Sequence, residues 1–405
     1  MTVPALSAHL ARPGTVLLDG PLADADSGRA GAWLLAEPRE TVSAATLADV
    51  PALLDALDGA LADGRTVAGA LAYEAGYALE PDAFAGTPAL DPAAPLGWFG
   101  VYDAPPVPVD ESVLREALGP PAARVSGVQA ELDADAYRER IARVRAHIRE
   151  GDVYQINLTW PLRFETDADP VALYAALRAG QPTAYGALVR SGAADVLSLS
   201  PELFFRVDER EGARVITARP MKGTATRGAT DAEDRRLAAA LAADPKNRAE
   251  NLMIVDLLRN DLGRVAVGGS VDVPRLFETE RYPTLTQMTS TVTAELRPDA
   301  GLGDVLRALF PCGSVTGAPK IRAMQLIREI ESGPRGLYCG AVGVAVPGAG
   351  GGLGRASFNV PIRTAVVRDG RGRYDVGSGV VWDSDAAAEW DECWLKARVL
   401  TRLAS

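Results

Sequence analysis

One lysine stands in the run Arg219-Pro220-Met221-Lys222-Gly223-Thr224, and its amine is the only strong nucleophile there. Proline fixes the chain's approach, and glycine lets backbone come close to a ligand. A lysine amine attacks only after losing its proton, which burial or a neighbouring cation favours. A surface lysine in a turn would be written with the same six letters. Upstream, Ser200-Pro201-Glu202 closes a run of apolar and hydroxyl residues. A carboxyl there serves as general acid if its pKa is raised, and is otherwise the side chain of a capped bend.

Helical spacing supplies two more carboxylate sets. Over residues 247–262, Asn251, Val255, Leu258 and Leu262 share a face that Ile254 and Leu257 widen. A helix that apolar packs on two sides, so Glu250 at its start needs a partner, either an arginine or a metal ion. Over residues 385–400, Trp390, Cys393 or Trp394, Ala397 and Leu400 form a core stripe, while Glu389, Glu392 and Lys396 recur on another face. That second set is either a solvated ion pair or the complement of Glu250 in a carboxylate metal site. Finally, Gly313-Ser314-Val315-Thr316-Gly317-Ala318-Pro319-Lys320 feeds a helix striped by Ile321, Met324 and Ile327. A Gly-rich turn at a helix start is an anion cradle, although this one lacks the spacing and ending of a P-loop. No G-x-G-x-x-G string is present to support a dinucleotide fold.

Composition narrows the chemistry further. The chain has 405 residues, 47% of them apolar, enough for a large core. Only two histidines occur, His9 and His147, so Ser-His-Asp catalysis and His-rich metal sites lack material. Acids and bases must then be Lys, Glu, Asp or Tyr, and a metal held by carboxylates alone is a hard cation such as Mg²⁺. The three cysteines, Cys312, Cys339 and Cys393, are scattered and suit neither a disulfide framework nor a thiolate zinc site. Net charge is −11 with no basic run, which argues against a nucleic-acid partner. No apolar stretch approaches the roughly 18 residues of a membrane span, and no signal peptide pattern opens the chain, so a cytoplasmic location is expected.

The elements that must position these groups are legible in outline. Residues 1–125 are rich in Ala, Pro and Gly and carry no chemical cluster, and Pro120-Pro121 reads as a connector into a second part, 126–405. That part opens with a helix capped by Asp133 or Asp135, striped by Tyr137, Ile141, Val144 and Ile148, and closed by Gly151. His147 reads as an ordinary helical histidine. The period then changes to two, with Tyr154, Ile156, Leu158, Trp160, Leu162 and Phe164 alternating against Gln155, Asn157, Thr159 and Arg163, a long half-buried strand. Further strands are predicted at 185–190, 195–207, 213–219, 338–346, 355–368 and 373–382, with Asp369-Gly370 as a hairpin turn and 348–352 as a flexible hairpin tip. Helices are predicted near 232–242, 247–262, 304–310, 319–331 and 385–402. Strand runs interrupted by helices imply an α+β fold of large antiparallel sheets, sandwich-like and flanked by helices.

In order and spacing, these motifs resemble the chorismate-utilising enzymes, and among them the chorismate-binding subunit of aminodeoxychorismate synthases. The likeness runs from about residue 130 to 402, while residues 1–125 resemble the N-terminal region of the same component I fold only loosely. It implies a fold like that of anthranilate synthase component I. It also implies Mg²⁺ on Glu250 and Glu392, with Glu389 acting directly or through water. Arg363, in Phe358-Asn359-Val360-Pro361-Ile362-Arg363-Thr364, and Tyr338 match positions that hold the carboxylates of chorismate. Gly377 and Gly379 match backbone donors, Thr316-Gly317 and Gly223-Thr224 match ring-binding loops, and Lys396 faces the same site.

The reaction type turns on two departures from the anthranilate synthase pattern. The matching loop there reads Pro-Ile-Ala-Gly-Thr, whereas aminodeoxychorismate synthases commonly have a lysine where this chain has Lys222. Anthranilate synthases also carry a histidine where Gln287 stands here. The resemblance therefore implies amination at C4 without elimination, as a transferase of nitrogenous groups in 4-aminobenzoate and folate biosynthesis. In that mechanism Lys222 attacks C2 of the ring as the 4-hydroxyl leaves, and Glu202 protonates that hydroxyl. Met221 in place of the commoner Ile affects packing only. No Gly-x-Cys-x-Gly-x-Gln string is present, so a separate glutamine amidotransferase subunit is expected to supply ammonia, free ammonia being the alternative. The rival readings are an anthranilate synthase component I, disfavoured by Lys222 and Gln287, and a non-catalytic chorismate-binding module, disfavoured by retention of Lys222, Glu202, Glu250 and Glu392. Isochorismate and salicylate synthases stand further away, because their water-activating lysine falls elsewhere in the pattern.

Overall fold

β-Branched and aromatic residues come in short runs broken by Gly, Pro and Asp, and these runs pair into antiparallel ladders. The computed structural model describes residues 1–20, 31–86, 95–181, 183–281 and 285–404, and among these the strands form two ten-stranded sheets. In the first, Gln155–Glu165 lies between the short Gly317–Ala318 strand and Arg371–Val380. In the second, Met221–Thr226 stands at one end, paired with Leu285–Glu295. Strands from before residue 125 extend the far ends of both sheets. The sheets face each other as a sandwich, with Val16, Leu18, Ala68, Ala70, Val342 and Val344 in one buried cluster between them. Among the described residues no helix is long and apolar enough to cross a membrane.

The chain changes sheets at two prolines. Asp195–Ser200 belongs to the first sheet and Leu203–Arg210 to the second, with Pro201-Glu202 as the crossing. Leu353–Asn359 belongs to the second and Thr364–Arg368 to the first, with Pro361 in between. The 195–207 and 355–368 runs, each expected as one strand, are therefore two, because proline cannot continue a central ladder. The crossings are laced together: Ser200 Oγ donates to the Val360 carbonyl at 2.5 Å, and the Val360 amide donates to the Glu202 carbonyl at 3.1 Å. Both carry predicted site residues, Glu202 and Arg363.

The first predicted helix is Ala134–Glu150, capped by the Asp133 side chain and closed by Gly151 at φ 84°. It packs with the final helix, Ala386–Thr401, through an aromatic cluster. Trp160 stacks on Trp390 at 4.8 Å between centroids and meets Trp394 at 5.5 Å, while Tyr137 contacts Trp390 at 5.3 Å. Tyr137 also shares a 2.9 Å hydroxyl hydrogen bond with Ser378. The stripe thus fixes the rotation of the final helix, and so the face bearing Glu389, Glu392 and Lys396.

Other expectations are corrected. The 155–165 strand is buried on both faces as far as Leu162, with Gln155 fully buried, while Tyr154, assigned to its apolar face, is 70% exposed and precedes it. The polar face meets protein, not water: Gln155 lies beside Gly379, and Thr159 is bonded to Glu331. Lys222 lies in a short strand, Met221–Thr226, rather than in a loop after one. Asp272–Arg281 and Leu285–Glu295 form a strand pair that the periodicity did not reveal, because the first is a charged, largely exposed ribbon. Asp369 and Gly370, at φ 49° and 74°, make the predicted hairpin turn. The 348–352 tip docks on the helix Val50–Ala62, the Gly352 amide donating to the Leu61 carbonyl at 2.9 Å.

Candidate active site

Gly223 sets the position of its neighbour. Its φ is +86°, and a Cβ there would lie 2.8 Å from the Asn247 side-chain oxygen. The strand can therefore hug the start of the helix Pro245–Gly263, where Asp244 is the N-cap and Glu250 lies just inside. The ladder slips between Met221 and Thr224, lifting Lys222 out of register. Its amine reaches across to the other sheet and would lie 3.2 Å from a Cβ on Gly379. Desolvation pushes this partly buried amine below the usual lysine range, against the pull of Glu250 and Glu202, and the Lys396 charge adds to the push.

Glu202 is 4% exposed at the first crossing. Burial pushes its carboxyl up to about 7, although the Ser314 hydroxyl and the charges of Lys222, Arg363 and Lys396 pull the other way. Ser314 Oγ donates to Glu202 Oε1 at 2.6 Å. A carboxyl that shares its proton near neutral pH, beside an amine whose protonation is weakened, has the chemistry to act as an acid next to a nucleophile.

The carboxylate set faces this pair. Glu250 is raised by burial, with Lys222 and Lys246 lowering it and Glu389 and Glu392 raising it. The three glutamates thus share one electrostatic neighbourhood. They are not tightly gathered: among the described residues, the ligand atoms lying within 4.8 Å of one another are those of His147, Glu150 and Asp152. Those belong to an ion-pair set in which Asp152 takes His147 at 2.8 Å and Arg322 at 3.1 Å. Glu392 pairs with Lys396 at 2.7 Å, Lys396 Nζ donates to the Gly377 carbonyl at 2.8 Å, and Glu389 accepts from Ser384 Oγ at 2.7 Å. Of the sequence alternatives for this helix face, the structure shows the ion pair, Glu392 with Lys396.

The remaining predicted residues divide. Arg363, at φ 52°, has its guanidinium against Gln181, whose amide oxygen accepts from Nε at 3.2 Å when turned inward. The Arg363 charge reaches Glu202. Gly317, at φ 146°, passes so close to the 155–165 strand that a Cβ would lie 2.2 Å from the Gln155 carbonyl. The Thr316 hydroxyl is committed to the Cys312 carbonyl at 2.8 Å, its amide donates to the Gly313 carbonyl at 3.2 Å, and its carbonyl accepts from the Asn157 amide at 2.9 Å. Thr224 is exposed opposite Gln287. Tyr338 is buried, desolvation raises its phenol, and Cys339, Asp375, Cys393 and Arg335 are its charged or ionisable neighbours.

Two residues were not singled out from the sequence. Ser314 lay within a quoted loop, but only the fold brings it to Glu202. Gln155 was read as a solvent-facing polar position; it is fully buried, neither amide atom has a hydrogen-bond partner, and its Nε2 would lie 2.9 Å from a Cβ on Gly379. The polar series Gln155, Asn157 and Thr159 was the available signal. Small cavities elsewhere, such as that lined by Leu18, Tyr185, Val342 and Asn359, hold none of these groups. Gly379→Ala is expected to place a methyl between Gln155 and Lys222, leaving the thermal midpoint within a few degrees while lowering turnover by about 100-fold. Melting curves and steady-state rates on the same preparation check this.

A family model of chorismate binding enzymes matches residues 22–402. Aminodeoxychorismate synthase of Streptomyces griseus is 45% identical over 284 residues, covering 70% of this chain and 38% of that protein. Anthranilate synthase component 1 of Streptomyces coelicolor is 42% identical over 275 residues, covering 68% and 52%. The chain thus spans only about a third to a half of these relatives' lengths. Among solved structures, anthranilate synthase component I from Streptococcus pneumoniae superposes with a TM-score of 0.73 at 25% identity, covering 96% of this chain and 91% of that one.

Proposed function

The chain belongs to the chorismate binding enzymes, and from that premise we propose that it replaces the 4-hydroxyl of chorismate with an amino group, giving 4-amino-4-deoxychorismate. The observation that carries the reading is the pairing of Lys222 with Glu202. Relatives named for amination and for anthranilate formation match almost equally well, at 45% and 42% identity, so the choice rests on the site. An anthranilate reaction must remove a ring proton and eliminate pyruvate. At the position where anthranilate synthases carry a histidine stands Gln287, whose side-chain oxygen is buried and unbonded.

Lys222 attacks C2, the conjugated double bonds of the ring shift, and the C4–O bond breaks as Glu202 gives its proton to the departing hydroxyl, releasing water. Ammonia then adds at C4, the double bonds return, and the C2–N bond to Lys222 breaks. Glu202, now a carboxylate, takes the proton that the new ammonium sheds. One difficult displacement becomes two easier ones. Arg363 and Tyr338 hold carboxylates of the substrate, Gly377 and Gly379 supply backbone donors, and Gly223-Thr224 with Thr316-Gly317 border the ring.

Glu250, Glu389 and Glu392 would hold a Mg²⁺: all are oxygen donors suited to a hard cation, and Glu389 and Glu392 raise the carboxyl of Glu250, a mutual repulsion that a cation would relieve. When bound, the ion supplies the positive charge that anchors the ring carboxylate. Nitrogen comes from a glutamine amidotransferase partner, and the enzyme works in the cytoplasm on the route to 4-aminobenzoate and folate.

The test is a product assay with chorismate, ammonium and Mg²⁺. We expect 4-amino-4-deoxychorismate, identified by mass and by conversion to 4-aminobenzoate with an added lyase, without release of pyruvate. Chelation should lower the rate by at least about 100-fold, and Glu250→Gln should raise the Mg²⁺ concentration needed for half-maximal rate. Pyruvate with fluorescent anthranilate would overturn the assignment of reaction.

A further inference from the structure

A buried cation lies behind the site, outside the set that the proposed chemistry uses. Arg335 is 2% exposed, and its guanidinium is fully committed. Nη1 donates to the Val315 carbonyl at 2.8 Å, and Nη2 donates to the Asn157 carbonyl at 2.6 Å and to Glu331 Oε1 at 2.7 Å. The same Glu331 oxygen accepts from the Thr159 amide at 2.8 Å and hydroxyl at 2.9 Å. The guanidinium lies 4.5 Å over the Tyr73 ring. From the N-terminal part, Glu74 accepts from the amides of Arg335 at 2.6 Å and Gly336 at 3.0 Å, and the Tyr73 amide donates to the Gly336 carbonyl at 2.8 Å.

One side chain therefore ties the turn that carries Ser314 to the strand that carries Gln155, Asn157 and Thr159, and Tyr73-Glu74 fixes the backbone from which that side chain springs. We propose that Arg335, held by Glu74, is a positioning residue that sets the Ser314 hydroxyl on Glu202 and thereby tunes the acid of the reaction. This rests on the proposed function for its kinetic consequence, but not for the tether itself. Lysine in place of arginine keeps the charge beside Glu331 and loses the planar fork that reaches two carbonyls at once.

Arg335→Lys and Glu74→Gln separate this from a merely structural role. Glu202 faces Lys222, Arg363 and Lys396, and the Cys312 thiol lies close by, none of which either substitution removes. Losing the Ser314 hydrogen bond withdraws stabilisation of the Glu202 carboxylate, so the pH limb governed by Glu202 moves upward. In both variants we expect amide hydrogen exchange in residues 313–317 to accelerate by about tenfold or more, kcat to fall by about tenfold, KM to change by less than about threefold, and the limb to shift to higher pH. Unchanged exchange in 313–317 would overturn the tether. Faster exchange with an unmoved limb and kcat would overturn the tuning. If the wild type fails to consume chorismate, the functional reading fails, and exchange still decides whether Arg335 holds the turn.

Discussion

Lys222→Ala is expected to lower amination of chorismate by on the order of 10³-fold or more, while the protein stays folded and retains its affinity for chorismate. The size follows from the proposed role: an amine that makes and breaks a covalent bond cannot be removed without deleting the pathway, whereas the loss of one contact only weakens it. Folding should survive because Lys222 stands in an end strand whose ladder slips at that point, and its amine reaches across to the other sheet instead of filling the core. Lys222→Arg tests the distinction more sharply. It restores the positive charge that Glu250 and Glu202 feel, but it offers no nucleophile. If charge alone mattered, Arg would rescue the rate; if covalent attack matters, it will not. Intact-mass analysis gives a direct readout. With ammonia withheld, wild-type chain mixed with chorismate should gain the mass of chorismate less water, and neither variant should. A Lys222→Ala enzyme within about tenfold of wild type would mean that ammonia attacks the ring without a lysine intermediate.

Helix periodicity carried the part of the site that is local in sequence. Glu389, Glu392 and Lys396 share one face because three and four residues make a turn, and the tryptophan stripe on the opposite side fixes which way that face points. The strand Gln155–Glu165 was legible as an element, yet its surroundings were not. Alternation tells which residues share a face but not whether that face meets water, a second sheet or a substrate. Lys222 and Glu202 lie on different strands and meet only because the chain crosses between sheets at Pro201. Nothing near either residue in sequence encodes that meeting, and only resemblance to a family joined them. Arg335 was invisible for a related reason: Ser332-Gly333-Pro334-Arg335-Gly336 reads as a turn, and a cation in a turn is ordinarily solvated. Its burial depends on carbonyls and carboxylates contributed from far along the chain.

Glu202→Gln should cost between about 10² and 10⁴ in kcat, because the leaving hydroxyl loses its proton donor while the shape of the site is kept. The variant leaves the Ser314 contact possible, since the amide oxygen of Gln accepts as the carboxylate did. In the wild type the acid must be protonated at the start of each cycle. With the carboxyl pushed up to about 7, kcat is expected to fall as pH rises through that value, and Glu202→Gln should show no such limb. Stability has a linked dependence. The folded-state pKa lies above the unfolded value near 4.5, so the native state binds the proton more tightly. That contribution is fully present below about 4.5 and is lost as pH rises through about 7, an effect on the order of 3 kcal/mol for one such group. Glu74, likewise pushed up to about 7 by burial, adds a second loss in the same window. Melting curves at pH 5 and pH 8 should therefore differ less for Glu202→Gln than for wild type, with the residual slope shared by Glu74 and the other carboxylates that burial raises, Glu250, Asp261 and Asp375 among them. A kcat limb near pH 7 that persists in Glu202→Gln would assign the acid to another group.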